Sequence, residues 1–310
     1  MEPKLALVIP AFKPDHLDAA LRSIAAQTSK AFRLYVGIDG SPHDLESVLA
    51  GYADRIPMEV VRFPTNLGGT DLVGQWQRCI DLTRGEPWIW LFSDDDEMDP
   101  TCVERFLQES ERDSSPDLFH FNLDVIDERG QWLATPAPFP PHLSSPDYYL
   151  RRMGSFVVEF VFRREAFDRL GRFVEFDLAW NADHATWIRL SQRQGIRTIE
   201  GPKVRWRLGR SNISGDLSSR ATCLCKCNAD LEFDRWARAF YAAHGQAFPG
   251  TPGQNLRFYQ KVLNQHSRTL GLREILGLLD RYQQGAGLGR QWRARLRMCL
   301  YYLYARMKHG

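Results

Sequence analysis

The 310-residue sequence contains no uninterrupted apolar stretch approaching the roughly 18 residues needed to cross a bilayer. Any contact with a membrane is therefore expected to be peripheral. The hydrophobic fraction of 44% and the charged fraction of 25% are ordinary for a globular enzyme, and they exclude the collagen-like and disordered classes. The length allows one large domain or one domain with an extension, and we favour the second.

Cysteine is scarce and lacks the spacing that a structural zinc site requires. Three of the six cysteines form a triplet, Cys223, Cys225 and Cys227, without a two-residue spacer or a second ligand pair. The residues before the first apparent strand do not resemble a secretory signal. We interpret the triplet as unpaired thiols and expect the protein in a reducing cytoplasm.

Two common nucleotide-binding motifs are also missing. The sequence has no G-x-G-x-x-G turn, which argues against a dinucleotide-dependent oxidoreductase, and it has no P-loop. A nucleotidyltransferase that makes nucleotide sugars would have a glycine-rich, arginine-containing loop after the first strand. The sequence has no such loop after its first predicted strand. Nucleic-acid binding would rest only on the basic tail, and we do not expect it.

That tail contains no acid after Asp280. It combines basic residues with large apolar ones: Arg281, Arg290, Arg293, Arg295, Arg297, Arg306 and Lys308 with Trp292, Leu296, Met298, Leu300, Tyr301 and Leu303. The pattern predicts a basic amphipathic helix, and two interpretations stay open. The helix either lies on an anionic lipid surface or packs on the protein with a solvated basic face.

Strand-like and helix-like patterns alternate over the first hundred residues. Short apolar runs typical of strands in a parallel sheet lie at 5–9, 32–38, 58–63 and 88–92. The alternation predicts right-handed βαβ units and an α/β fold with a mostly parallel central sheet and helices on both faces. Ligands bind beyond the carboxyl ends of such strands, where Pro10, Asp39 and Asp94 lie.

The second half predicts a more mixed arrangement. Strands are expected at 118–125 and 155–162, an irregular proline-rich loop at 136–146, a helix from Asp183 to Gly195, and short strands within 196–208. Helical patterns dominate afterwards. We therefore predict a domain over residues 1–215 and a helical extension with the basic tail over 216–310.

An acidic run, Ser93-Asp94-Asp95-Asp96, directly follows the fourth predicted strand. Adjacent carboxylates repel one another unless a cation neutralises them, and a divalent ion readily bridges a carboxylate to substrate phosphates. A solvated acidic turn is the alternative. Asp183, at a predicted helix start, is either a carboxylate base or only a helix cap.

The ordered set of motifs over residues 4–214 resembles glycosyltransferase family 2, the inverting group with the Rossmann-like GT-A fold. Val8-Ile9-Pro10-Ala11-Phe12 resembles the opening strand of the family, and Gly37-Ile38-Asp39-Gly40-Ser41 is similar to its "V-D-D-G-S" turn. Asn66-Leu67-Gly68-Gly69 resembles its glycine loop. The acidic run resembles the D-x-D-D element, and Asp183 with Trp187 and Arg189 resembles the "E-D-x-x-x-W-x-R-L" block.

The resemblance implies a role for each matching position. Nucleotide contacts fall on Pro10, Ala11, Phe12, Asp39, Gly68 and Asp94, the metal ligands on Asp95 and Asp96, and the general base on Asp183. The implied metal is Mn²⁺ or Mg²⁺. Arg205 and Arg207 are candidates for diphosphate contacts, and Trp180 is a candidate for stacking on an acceptor sugar, although a buried aromatic is the plainer interpretation.

The resemblance implies an inverting, metal-dependent hexosyltransferase. The donor is expected to be a UDP- or dTDP-sugar, the acceptor a saccharide or a polyprenyl-linked saccharide, and the setting bacterial surface polysaccharide synthesis at the inner face of the membrane. Ile38, Ser93, Ala182 and Gly209 depart from the family pattern. They leave open a catalytically silent nucleotide-sugar-binding or scaffold protein of the same fold.

Overall fold

The computed structural model describes residues 3–209 and 217–307. The chain divides into two compact units. The first contains the described residues up to Glu175 together with Ala182–Gly209. The second contains Phe176–Asn181 and the described residues from Leu217 onward. The domain boundary predicted at residue 215 lies outside the described residues.

A ten-stranded sheet forms the centre of the first unit. Its strands are β1 Leu5–Ala11, β2 Phe32–Asp39, β3 Met58–Phe63, β4 Trp88–Leu91, β5 Glu97–Met98, β6 Leu118–Ile126, β7 Trp132–Ala134, β8 His142–Leu143, β9 Phe160–Arg163 and β10 Ile196–Arg207. The spatial order is β3-β2-β1-β4-β9-β6-β10-β5, with β7 paired to β6 and β8 to β10.

The longest strand pairs are parallel. β1 lies between β2 and β4, with Ile9 opposite Val36 and Leu7 opposite Trp90. β9 runs antiparallel between β4 and β6, and β6 pairs in parallel with β10. The predicted α/β fold with a mostly parallel sheet is thus confirmed, as is the mixed second half.

Seven α-helices accompany the sheet within the described part of the first unit. They are α1 Leu17–Ala25, α2 Leu45–Ala50, α3 Leu72–Ile80, α4 Cys102–Arg112, α5 Ser145–Arg151, α6 Arg164–Arg169 and α7 Ala182–Leu190. α1 buries Leu17, Leu21 and Ile24, the apolar face that its sequence period predicts.

Two predicted strand segments differ in the structure. Val157–Glu159 forms a 3₁₀ turn, so the strand predicted from 155 begins only at Phe160. The Glu159 side chain accepts a hydrogen bond from the Phe156 N–H and closes that turn. The predicted short strands at 196–208 are one strand, whose pairing with β6 is irregular between Ile199 and Val204. Pro202 lies in the gap, and proline has no N–H for a ladder.

The core between sheet and helices is aromatic. Trp90 stacks on Phe121 with ring centroids 4.9 Å apart, and its indole N–H donates to the Val158 carbonyl over 2.7 Å. The one polar atom of this large ring is therefore satisfied inside the core. Such packing fixes β4, and with it the start of the acidic run.

The second unit is helical, as predicted for the extension. Its helices are α8 Arg220–Ala243, α9 Pro252–Gln265, α10 Leu272–Gly285 and α11 Trp292–Met307. Cys223 and Cys227 lie in its core with Tyr259, Leu279 and Met298. All six cysteines are free, which confirms the prediction of unpaired thiols. Over the described residues, no helix is long and apolar enough to span a membrane.

Candidate active site

The acidic run and the end of β1 are joined by Asp94. Its Oδ2 atom accepts hydrogen bonds from the backbone N–H groups of Phe12, over 2.8 Å, and Lys13, over 3.1 Å. Burial, followed by repulsion from Asp95, raises the pKa of Asp94 to about 6. Asp94 thus lies next to the segment Pro10, Ala11 and Phe12, and its hydrogen bonds hold the loop after β1.

Asp39 and the glycine loop are also brought together. Asp39 ends β2, and its nearly buried carboxylate accepts hydrogen bonds from the N–H groups of Leu67, over 2.7 Å, and Gly68, over 2.9 Å. A Cβ atom at Gly68 would lie 2.8 Å from Asp39 Oδ2, so only glycine permits this approach. The acid therefore shapes the loop that the resemblance places at the nucleotide.

Arg78 completes this contact, and the sequence patterns did not single it out. Its guanidinium forms an ion pair with Asp39, donates to the Thr65 carbonyl over 3.0 Å and lies 3.9 Å from the Phe63 ring centroid. A buried carboxylate needs such a partner. The available signal was a polar stripe on α3, since Arg78 follows the buried Gln75 at helical spacing.

Arg207 holds the acidic run from the other side. Its side chain is 2% exposed and donates to the carbonyls of Asp95 and Asp127, over 2.7 and 2.9 Å, and to the Glu97 carboxylate, over 2.6 Å. Its backbone N–H donates to Asp96 Oδ1 over 2.7 Å. The guanidinium predicted to contact a diphosphate thus has three protein acceptors in this structure.

The carboxylates of the acidic run therefore differ in how accessible they are to a metal ion. Asp96 is buried, and burial followed by repulsion from Asp95 raises its pKa well above the usual range. Asp95 is half-buried and accepts a hydrogen bond from the Ser93 hydroxyl. In the described chain, no group of three His, Cys, Asp or Glu side chains could hold a metal ion. One carboxylate still fits Mg²⁺ or Mn²⁺ when substrate phosphates and water complete the shell.

Asp183 is the second residue of α7 and lies in a partly buried polar cluster. Its Oδ1 atom accepts the His184 N–H over 2.8 Å, and its side chain is 16% exposed. The His184 ring nitrogen Nδ1 lies 3.0 Å from the Tyr148 hydroxyl, which also meets the Ser155 hydroxyl at 3.1 Å. Burial lowers the pKa of His184, so this ring is neutral near pH 7. One carboxylate oxygen of Asp183 is fixed in this way.

Glu159, in the 3₁₀ turn before β9, was also missed from the sequence. Burial raises its pKa well above the usual range, and repulsion by Asp183 and by Asp96 adds to the effect. Its Oε2 atom lies 2.8 Å from Nε2 of the buried His120. Contacts connect the two places: the Tyr148 hydroxyl that meets His184 also meets Ser155, and the ring of the next residue, Phe156, stacks on Trp206 beside Arg207 with centroids 3.8 Å apart. Asp183 and the acidic run therefore share one region of the first unit.

Two further predicted residues, Arg205 and Trp180, have protein partners of their own. Arg205 is 42% exposed and pairs with Asp99 over 2.6 Å. Trp180 belongs to the second unit, where its indole N–H donates to Asp230 over 3.0 Å and the Lys226 ammonium lies 4.8 Å from its ring centroid. The structure thus gives Arg205 and Trp180 protein partners.

A mostly parallel sheet with a glycine turn held by Asp39 and an acidic run after β4 is typical of glycosyltransferases. The sequence agrees, because the family model described as Glycosyl transferase family 2 matches residues 6–171, more than half of the chain. The chain therefore belongs to glycosyltransferase family 2. The comparison with curated proteins finds no match.

Solved structures show the same fold. S. aureus TarS 1–349 in complex with UDP is similar at a TM-score of 0.54 and 12% identity, covering 92% of this chain and 90% of that one. Its complex with UDP-GlcNAc gives a TM-score of 0.59 at the same identity and coverage. S. aureus TarS, in another structure, gives 0.60 at 13% identity, covering 99% of this chain and 53% of that chain.

Proposed function

We propose that the protein is an inverting hexosyltransferase that moves a sugar from a UDP-sugar, with dTDP as the alternative carrier, to a hydroxyl of a saccharide. The single observation that carries the proposal is the Phe156 ring, which stacks on Trp206 beside Arg207 and the acidic run, while the neighbouring Ser155 contacts the Tyr148 hydroxyl that meets His184. It supports a shared site for a diphosphate at the acidic run and for an acceptor at Asp183. The UDP and UDP-GlcNAc complexes of similar structures support the carrier.

Asp183 acts as the general base in this proposal. The His184 N–H holds Oδ1, which leaves Oδ2 to take the proton of the acceptor hydroxyl. The acceptor oxygen forms a bond to the anomeric carbon from the face opposite the diphosphate. The bond from that carbon to the diphosphate breaks, and the configuration at the anomeric carbon inverts.

The donor site is built by the loops after β1, β2 and β4. Asp39 and Arg78 hold the glycine loop, Asp94 holds the loop after β1, and Arg207 supports the acidic run. We assign the metal, Mn²⁺ or Mg²⁺, to Asp95 rather than to the buried Asp96. A divalent ion at Asp95 would supply positive charge beside the departing diphosphate.

The setting we propose is bacterial surface polysaccharide synthesis in the cytoplasm, with an acceptor that is free or carried on a polyprenyl lipid. The six free thiols support a reducing compartment. The S. aureus origin of similar structures supports the bacterial setting.

The test uses Asp183→Asn, which keeps the oxygen that accepts the His184 N–H. Turnover should fall by about 10²- to 10⁴-fold, the usual contribution of a positioned base. UDP binding, measured calorimetrically with Mn²⁺, should not change. Asp168→Asn, which alters an exposed ion pair with Arg172, is the control and should keep full turnover. Normal turnover in Asp183→Asn would rule out the base.

The metal assignment needs its own measurement. UDP should raise the melting temperature of the wild type more with Mn²⁺ than without it, and Asp95→Ala should remove that difference. Binding of UDP without any turnover of a UDP-sugar by the wild type would favour the silent scaffold instead.

A further inference from the structure

Helix α11 presents large apolar side chains to solvent along one face. Their exposed fractions lie between 53% and 83%, and we call them the apolar stripe: Trp292, Leu296, Leu300, Leu303, Tyr304 and Met307. Their spacing of three or four residues places them within an arc of about 120° on an α-helix. A contiguous exposed apolar surface of this kind marks an interaction site.

The opposite face of α11 is firmly packed. Ala294 and Met298 are buried in the core of the helical unit. Gln260 of α9 donates from its side chain to the Ala294 carbonyl over 2.7 Å, and its amide oxygen accepts from Arg297 over 3.1 Å. The helix is thus held by its inner face, which leaves the apolar stripe outward.

Positive charge surrounds the apolar stripe. Helical geometry places Arg293 within its arc and Arg297 and Arg306 near its edges. In the described part of the chain, no carboxylate forms an ion pair with these three arginines. Asp280, the last acid of the sequence, pairs with Arg295 over 2.5 Å and Arg290 over 3.3 Å. An occupant of this surface must therefore bring negative charge together with an apolar interior.

We propose that α11 docks on an anionic lipid membrane, with the apolar stripe at the acyl boundary and Arg293 and Arg306 at the headgroup phosphates. Trp292 and Tyr304 are suited to the boundary between headgroups and acyl chains, because tryptophan and tyrosine rings favour the membrane interface. A second copy of the chain fits less well. It would bring the same arginines toward the same face without a carboxylate to neutralise them.

The experiment measures vesicle binding of the full chain by flotation, without any donor. It is therefore independent of the proposed transfer reaction. Binding to vesicles of phosphatidylcholine with 30% phosphatidylglycerol, a composition chosen to mimic an anionic leaflet, should exceed binding to phosphatidylcholine alone by about tenfold. It should weaken in about 0.5 M salt, because salt screens the arginines.

Two variants separate the contributions of the surface. Leu296→Ser with Leu300→Ser and Leu303→Ser should lower the partition coefficient about tenfold on anionic vesicles. Arg293→Gln with Arg306→Gln should lower it on anionic vesicles and leave phosphatidylcholine binding unchanged. Leu150→Ser with Leu170→Ser changes exposed leucines of the first unit and should have no effect. Circular dichroism verifies that helix content is retained.

Three results would overturn the proposal. One is wild-type binding that does not distinguish anionic from neutral vesicles. Another is unchanged binding of the leucine variant. The third is a wild-type dimer that binds no vesicle and dissociates in the leucine variant, which would assign the apolar stripe to contact between copies.

Discussion

The backbone N–H of Arg207 donates to Asp96 Oδ1 over 2.7 Å, although the two residues lie 111 positions apart in the chain. The bond joins the last long strand of the sheet to the acidic run. The Arg207 guanidinium adds bonds to the Asp95 carbonyl and to Glu97. The position of the run is thus determined from β10 as well as from β4.

Replacement of Arg207 by lysine should destabilise the first unit. Lysine has one ammonium where the guanidinium meets three separate acceptors, so Glu97 and two carbonyls cannot all stay paired. We expect the free energy of unfolding in urea to fall by about 2–4 kcal/mol, as when a buried pair is broken. Arg205→Lys, at a half-exposed pair, should cost less than about 1 kcal/mol. Equal losses in the two variants would contradict the supporting role of Arg207.

Arg78→Met should weaken nucleotide binding without touching the acidic run. The change leaves the buried Asp39 carboxylate without its cation, and the loop held at Leu67 and Gly68 should loosen. We expect the Kd for UDP, measured calorimetrically, to rise about tenfold, which corresponds to about 1.4 kcal/mol. The control is Arg84→Met, which removes an exposed pair with Glu59. Unchanged affinity in Arg78→Met would separate Asp39 from the nucleotide site.

The buried His120 should contribute a loss of stability in acid, whereas the raised pKa of its partner Glu159 acts in the opposite direction. Burial lowers the pKa of His120 to about 3, whereas in the unfolded chain it is about 6.5. Between these values the unfolded state binds the extra proton, so stability is lost as the pH falls below about 6.5. The loss from this residue is about 1.4 kcal/mol per pH unit.

Replacement of His120 by glutamine tests this directly. The glutamine keeps a polar partner for Glu159 but cannot bind a proton in this pH range. Between pH 6.5 and 5 the free energy of unfolding in urea should therefore fall less steeply for the variant than for the wild type, and the difference in slope should correspond to about one proton. His142→Gln, at an exposed histidine, is the control and should keep the wild-type slope. Parallel curves for wild type and His120→Gln would show that His120 is not the acid-sensitive group.

The sequence patterns could predict those site residues that directly follow a recognisable strand. Buried strands of a parallel sheet have continuous apolar runs, so the polar residues that follow them, Asp39 and Asp94, could be assigned to one edge. Glu159 and His120 could not be found in this way, because they meet 39 positions apart across β6 and the 3₁₀ turn before β9. Arg78 was missed because its partner lies on another element.

The protein contacts of Arg207 and Asp96 also depend on pairings between distant parts of the sequence. Arg207 reads from the sequence as an arginine near a diphosphate, yet its direction depends on β10 passing under the acidic run. Asp95 and Asp96 are adjacent residues at a bend after β4, and they differ in burial. The sequence does not state which of the two is the more buried. The contact with the Arg207 N–H decides it.

Asn181 should stabilise the segment just before α7. Its φ of 69° is left-handed, and its side-chain amide donates to Asp230 over 2.9 Å beside the Trp180 indole. Asn181→Gly keeps the backbone relaxed and loses only the hydrogen bond, about 1 kcal/mol. Asn181→Ala should cost about 1–2 kcal/mol more, because alanine resists this conformation. Urea unfolding of the full chain measures both, and equal losses would show that the left-handed backbone does not contribute to the stability of the segment.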